Sequence, residues 1–151
     1  MPISPDQNVT DKFTSRQSRL NQALQSANLD ALALNPGASL TYLTGLQFHL
    51  SERPVIAIFS PGQSVHLILP ELEQAKLLDL TYPIKAFPYG EDPQTWIDSF
   101  RAALVAAGVA SGRIGVEPRQ LRLLEYSLLT QAAPQAEYIP AEEVLSSLRR
   151  I

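Results

Sequence analysis

Apolar residues recur along this chain first at helical and then at strand spacing, and the two patterns alternate to the end. Phe13, Leu20, Leu24 and Ala27 share one helical face, with Thr10 or Asp11 placed to cap it, while residues 1–9 carry two prolines among polar residues and read as a flexible leader. Residues 30–34 (DALAL) form a short apolar run that predicts a buried strand. Asn35-Pro36-Gly37 predicts a turn, and residues 38–43 a short helix stopped by Gly45. Residues 54–59 (PVIAIF) and 65–69 (VHLIL) predict two strands, and the short connection Ser60-Pro61-Gly62-Gln63 makes them an antiparallel hairpin.

The second half repeats the alternation. Residues 70–80 predict a helix carrying Leu72, Leu77 and Leu78, and residues 84–87 a short strand. Asp92-Pro93 supplies a cap and a first-turn proline for a helix to about Ala107, whose face is Trp96, Ile97, Phe100 and Leu104 and whose stop is Gly108. A strand over 113–117, a helix over 118–132, a strand over 137–139 and a closing helix from Pro140 follow. The fold class is therefore α/β, a mixed five- or six-stranded sheet with helices on both faces. Leu148-Arg149-Arg150-Ile151 extends that last helix without a Gly or Asn stop, so the chain is expected to be the front part of a longer protein.

Composition narrows the function classes. With 151 residues and 45% hydrophobic content the chain suits one core, placed at residues 10–151. A net charge of -3, with 12 Lys and Arg scattered along the chain, gives no basic field for nucleic acid. Cysteine is absent, which removes disulfides, thiolate nucleophiles and zinc–cysteine clusters. No apolar run reaches membrane-spanning length and no signal-type leader is present, so no membrane partner and a cytoplasmic location are expected.

Catalytic signatures are missing. There is no GxGxxG, P-loop, GxSxG or HExxH, and no acidic pair follows the first strand as a phosphorylatable receiver domain requires. His66 falls inside a predicted strand and reads as structural. Asp11, Asp92 and Asp98 lie near helix starts and Glu71, Glu73, Glu142 and Glu143 in first turns, where a carboxylate complements the helix dipole. One loop departs from this: residues 46–53 (LQFHLSER) gather Phe48, His49, Glu52 and Arg53 between a glycine stop and a core strand. Such a mixture lines pockets and interfaces, although spacing alone favours a solvated loop with one buried aromatic.

Six segments carry a resemblance: Tyr42-Leu43-Thr44-Gly45, Glu52-Arg53-Pro54-Val55, Pro70-Glu71-Leu72-Glu73, Tyr89-Gly90-Glu91-Asp92-Pro93, Gly112-Arg113-Ile114-Gly115-Val116-Glu117 and Leu148-Arg149-Arg150-Ile151. In order and spacing they resemble the creatinase/prolidase N-terminal domain, over roughly residues 13–151. The resemblance implies a ribonuclease H-like mixed sheet standing in front of a pita-bread catalytic domain that this chain lacks. That domain holds two divalent metal ions, manganese, cobalt or zinc, and hydrolyses Xaa-Pro bonds, or creatine without metal in creatinases. Its Asp, His and Glu ligands have no counterpart here, so neither catalytic nor metal residues are assigned to this chain. The last segment resembles the start of the run into that catalytic domain.

The resemblance further implies a dimer in which this domain packs on a neighbouring subunit and limits entry to short proline-containing peptides. The loop 46–53 is then the substrate-facing or interface loop, with Phe48, His49, Glu52 and Arg53 as its candidate residues. Two other readings stay open. One is a free-standing peptide or small-molecule binding module without hydrolysis; the other, a complete enzyme, rests only on His49 with Glu52.

Overall fold

The computed structural model describes residues 5–149, with side chains from residue 12 onward. Five α-helices and six strands alternate: α1 (Pro5–Ser26), β1 (Ala31–Leu34), α2 (Ala38–Thr44), β2 (Ile56–Phe59), β3 (Val65–Pro70), β4 (Ile84–Tyr89), α3 (Trp96–Ala106), β5 (Arg113–Val116), α4 (Leu123–Ala132), β6 (Glu137–Pro140) and α5 (Glu142–Leu148). The strands form one mixed sheet in the order β4-β3-β2-β1-β5-β6. β2 pairs antiparallel with both its neighbours, and the other pairings are parallel. The expected hairpin is β2–β3, in register Ile58 to His66.

Strands β1, β2 and β3 are buried on both sides, which is why their sequences are continuous apolar runs instead of alternating ones. Alternation instead sorts each strand between two cores. Leu32, Leu34, Ala57, Phe59, Leu67 and Leu69 face one core with Leu20 and Leu24 of α1, Leu40 and Leu43 of α2, and Leu145 and Leu148 of α5. Ala31, Ala33, Ile56, Ile58 and Ile68 face the other with Trp96, Phe100, Ala103 and Leu104 of α3 and Leu129 of α4. Trp96 is a core residue, its indole Nε1 donating to the Gly90 carbonyl at 3.2 Å.

Several boundaries differ from expectation. α1 begins at Pro5, so the cap expected at Thr10 or Asp11 is displaced into the helix; of the leader, residues 1–4 lie outside the described residues. Residues 71–77 form a 3-10 helix with no buried residue, and Leu72 and Leu78 are exposed at 73% and 82%. Leu72, Leu77 and Leu78 do not fall on one face at 100° per residue, so no apolar stripe is available to stabilise an α-helix by packing. α4 starts at Leu123, five residues late: the N–H groups of Gln120 and Leu121 turn back onto the Glu117 carbonyl, and the Gln120 side chain is committed to Pro36 O at 2.6 Å. On α3, Ala103 is buried where Ile97 is only half-buried, and a 3-10 turn Pro93–Thr95 capped by Asp92 precedes the helix. α5 closes at Leu148, with Arg149 N–H donating to Ser146 O, and residues 150–151 lie outside the described residues.

Candidate functional site

The loop that follows α2 is anchored at its root by hydroxyl groups. Gly45 adopts φ 78°, and a side chain there would place Cβ 2.7 Å from the Phe13 ring, so both the left-handed turn and the close approach demand glycine. Thr44 Oγ1 donates to Leu40 O at 2.7 Å and accepts from Leu46 N–H at 3.1 Å. Thr41 Oγ1 donates to Leu46 O at 2.8 Å, and the buried Tyr82 hydroxyl donates to Thr44 O at 2.7 Å. At the far end Tyr89 Oη donates to Pro54 O at 2.7 Å. Burial pushes the Tyr82 and Tyr89 hydroxyls well above the usual phenol range, with Arg53 partly opposing the rise at Tyr89. Both phenols therefore stay protonated donors across the physiological range.

Between these anchors lie the candidate residues. Phe48 is half-buried and packs on the core under α2, while His49, Leu50, Ser51 and Glu52 are exposed. Lys76, in the 3-10 helix, places its ammonium 4.6 Å above the Phe48 ring, donates to Gln47 O at 2.8 Å and pairs with Glu73 at 3.1 Å. One face of Phe48 is therefore occupied by a cation and is not free for stacking. Ser51 Oγ accepts from Arg53 N–H at 3.2 Å, and the Arg53 guanidinium stands 3.9 Å from Glu91 in an exposed pair.

An open cleft of about 730 Å³ is lined by Gly37, Ala38, Thr41 and Tyr42 from α2 and its lead-in, by Gln47, Phe48 and His49, and by Lys76. A smaller depression of about 80 Å³ brings Phe48, His49 and Arg53 together beside Leu72. Glu52 lines neither and forms no ion pair or hydrogen bond among the described residues, and His49 and Glu52 are not hydrogen-bonded to each other. Three of the four candidate residues thus share one surface. Lys76 and Tyr42 also line the cleft, Tyr82 supports its root from the core, and none of the three was singled out by sequence; a lone lysine in a polar helix carries no signal, whereas Tyr42 stands in one of the matching segments.

Two further titratable groups, His66 and Glu125, are buried in the fold. His66 is fully buried in β3, donates from Nδ1 to Ser64 O at 2.8 Å and stacks on Phe87. Burial holds its pKa below the usual histidine value, and the carbonyls of Ser64 and Ala106 oppose that shift. Glu125 is also fully buried, accepting from Arg122 Nε at 2.8 Å and from Asn35 Nδ2 at 3.3 Å. Among the described residues no three His, Asp or Glu side chains converge as metal ligands. The donor set of the described residues therefore does not fit a dimetal centre.

Residues 16–151 match the family model of the creatinase/prolidase N-terminal domain. The chain belongs to that family. Creatinase/prolidase N-terminal domains of known structure share its fold. A dipeptidase from Pyrococcus horikoshii OT3 superposes with a TM-score of 0.78 at 23% identity, covering 90% of this chain and 36% of that one. A dipeptidase from Mycobacterium ulcerans gives 0.76 at 23% identity over 93% and 37%. A proline dipeptidase structure from Streptococcus pneumoniae gives 0.72 at 22% identity over 99% of both chains. The chain therefore spans little more than a third of the first two. No curated protein matches it significantly. Among the described residues no helix is long and apolar enough to cross a membrane.

Proposed function

We propose that this creatinase/prolidase N-terminal domain serves a cytoplasmic, proline-directed dimetal peptidase, an Xaa-Pro dipeptidase or aminopeptidase, and that it shapes substrate access and subunit association without performing the chemistry. The observation that carries the reading is the construction of the loop 46–53: its root is tied down by Thr41, Thr44 and Tyr82, yet it offers an exposed His49 and a half-exposed Arg53 to solvent. No ligand set converges among the described residues, so manganese, cobalt or zinc would belong to a catalytic domain outside this chain. Arg53 is suited to grip a peptide carboxylate. Its pairing with Glu91 is long and exposed, and such pairs are worth about 0–1 kcal/mol, so a substrate carboxylate displaces Glu91 at little cost. Phe48 contributes a half-buried wall, with Lys76 over one face, more than a free stacking platform.

The test uses a parent enzyme carrying this domain as a dimer. His49→Ala or Arg53→Ala should leave folding intact and lower kcat/KM by about tenfold or more, mainly through KM if the contact serves ground and transition states alike. Mixing a loop variant with a metal-ligand variant distinguishes where the loop acts: partial recovery in mixed dimers places it at the neighbour's site, and no recovery at its own. Unchanged kinetics in both single variants would refute the reading.

The 730 Å³ cleft supports a second reading, a peptide or small-molecule binding module without hydrolysis, because its size falls in the range of ligand pockets. Saturable binding of a proline-containing dipeptide by this chain alone, lost on Tyr42→Ala, would favour it.

A further inference from the structure

The eight arginines among residues 5–149 divide by the partners they find. Arg53, Arg101, Arg113, Arg119 and Arg122 each pair with a carboxylate, from Glu91, Asp98, Glu137, Glu142 and Glu125 respectively. Arg16, Arg19 and Arg149 pair with none among the described residues, and all three converge on Tyr42. Arg16 stacks with Cζ 3.9 Å from the ring centroid and donates from Nη1 to Tyr42 O at 2.9 Å. Arg149 lies 5.6 Å from the same ring and donates from Nη2 to Ser39 Oγ at 3.0 Å. Arg19 donates from Nη2 to Tyr42 Oη at 3.3 Å, and its Nε is buried without a hydrogen-bond partner.

This convergence is a product of the fold: α1 supplies two of the arginines and the residue after α5 the third, on either side of α2 in sequence. Glu117 meets the cluster through Ser39, whose hydroxyl accepts from Arg149 and donates to Glu117 Oε2 at 2.7 Å. Lys12 adds a further cation beside Phe13, whose ring Arg16 also approaches. In a chain where acids outnumber bases, 15 to 12, this knot of positive charge has no carboxylate partner among the described residues. Each guanidinium spends one nitrogen on a neutral oxygen and keeps the rest of a planar, five-donor fork that matches carboxylate and phosphate geometry.

We infer that the Tyr42-centred cluster of Arg16, Arg19 and Arg149 is an oxyanion-binding site for a phosphate or carboxylate group, with the Tyr42 ring holding the Arg16 and Arg149 guanidinium groups in place. It stands apart from the reading proposed above, since neither Arg53 nor hydrolysis enters it. The group has two possible sources, a free small anion and an acidic side chain of a second copy of the chain.

The 151-residue chain, labelled with ¹⁵N-arginine, is titrated with inorganic phosphate at constant ionic strength while the Nε–H resonances are followed. Saturable shifts confined to Arg16, Arg19 and Arg149 are expected. Arg149→Gln, on the exposed member, should weaken binding about tenfold, and Arg16→Gln should do the same, whereas Arg101→Gln on α3 should change nothing. If a second copy supplies the anion, the same resonances move with protein concentration in the absence of phosphate, and sedimentation shows a dimer that Arg149→Gln abolishes. Shifts that follow ionic strength alone and are equal for chloride and phosphate, without concentration dependence, overturn the site. So does phosphate binding that Arg149→Gln and Arg16→Gln both leave unchanged.

Discussion

Phe100 offers the sharpest test of the core. It is fully buried on α3, in the cluster formed by Trp96, Ala103 and Leu104 with Ile56, Ile58 and Ile68 of the sheet and Leu129 of α4. Truncation to alanine removes the ring from a site closed on one side by the sheet and on the other by α4, neither of which can collapse into the space without breaking its own pairing. Phe→Ala changes of this kind cost about 3–5 kcal/mol, a large part of the 5–15 kcal/mol that holds a typical domain folded. With a urea m-value of about 2 kcal/mol/M, the midpoint should fall by about 1.5–2.5 M. Arg101→Ala is the matched control on the opposite face: its pair with Asp98 is 3.9 Å long and exposed, so its loss should cost under about 0.5 kcal/mol. Equal, mild midpoint shifts for the two variants at unchanged m would refute the assignment of α3's buried face.

Two further outcomes follow from the buried ionisable groups. Arg122→Ala strands the fully buried Glu125 carboxylate with only Asn35 as donor and should cost about 3–5 kcal/mol, whereas the double variant Arg122→Ala/Glu125→Leu should recover much of it; a cycle in denaturant with no coupling would contradict the pairing. His66 titrates below its ordinary value in the fold because of burial, so the unfolded chain binds the extra proton first and stability should decline as pH drops below about 6.5, by at most about 1.4 kcal/mol per pH unit. Urea midpoints between about pH 5 and 6.5, where most carboxylates remain charged, should show that slope in the parent chain and lose it in His66→Phe; an equal slope in both would place its origin elsewhere.

The elements that were legible in sequence are those whose signals are local. The apolar runs of β1, β2 and β3 and the stops at Gly45 and Gly108 state the architecture directly, because glycine at φ 78° and 73° is required by the backbone itself. Where packing decides, local signals fail. The leucines of residues 70–80 suggest a helix, yet Leu72 and Leu78 are exposed, none of residues 71–77 is buried, and the segment is a 3-10 helix. Glu125 resembles a solvated helix residue, and its buried state depends on Asn35, 90 positions away in sequence. The candidate loop was visible as an unusual mixture of side chains, but not the way Lys76 crosses 29 positions to fix Gln47 and cover Phe48. The arginine cluster spans a still longer separation, 110 positions between Ser39 and Arg149, and no spacing rule reaches that far.

How anchors are distributed around the loop bears on what such a domain can do. Thr41 and Thr44 lie on α2 and Tyr82 on the approach to β4, and each contributes a hydrogen bond to the loop root or to its immediate support, so α2, the approach to β4 and residue 46 are bound as one body. Past Phe48 the anchors thin out, among the described residues, to Ser51 bridging the Arg53 backbone and one long ion pair before Tyr89 takes hold of Pro54. A segment with few buried contacts opens at low free energy, while its ends stay registered to the core. A catalytic group needs its position fixed within fractions of an ångström, and His49 has no side-chain hydrogen-bond partner among the described residues to fix it. A gate or wall needs the reverse, a fixed root with an adaptable tip, and that is the division of order found between Thr44 and Pro54.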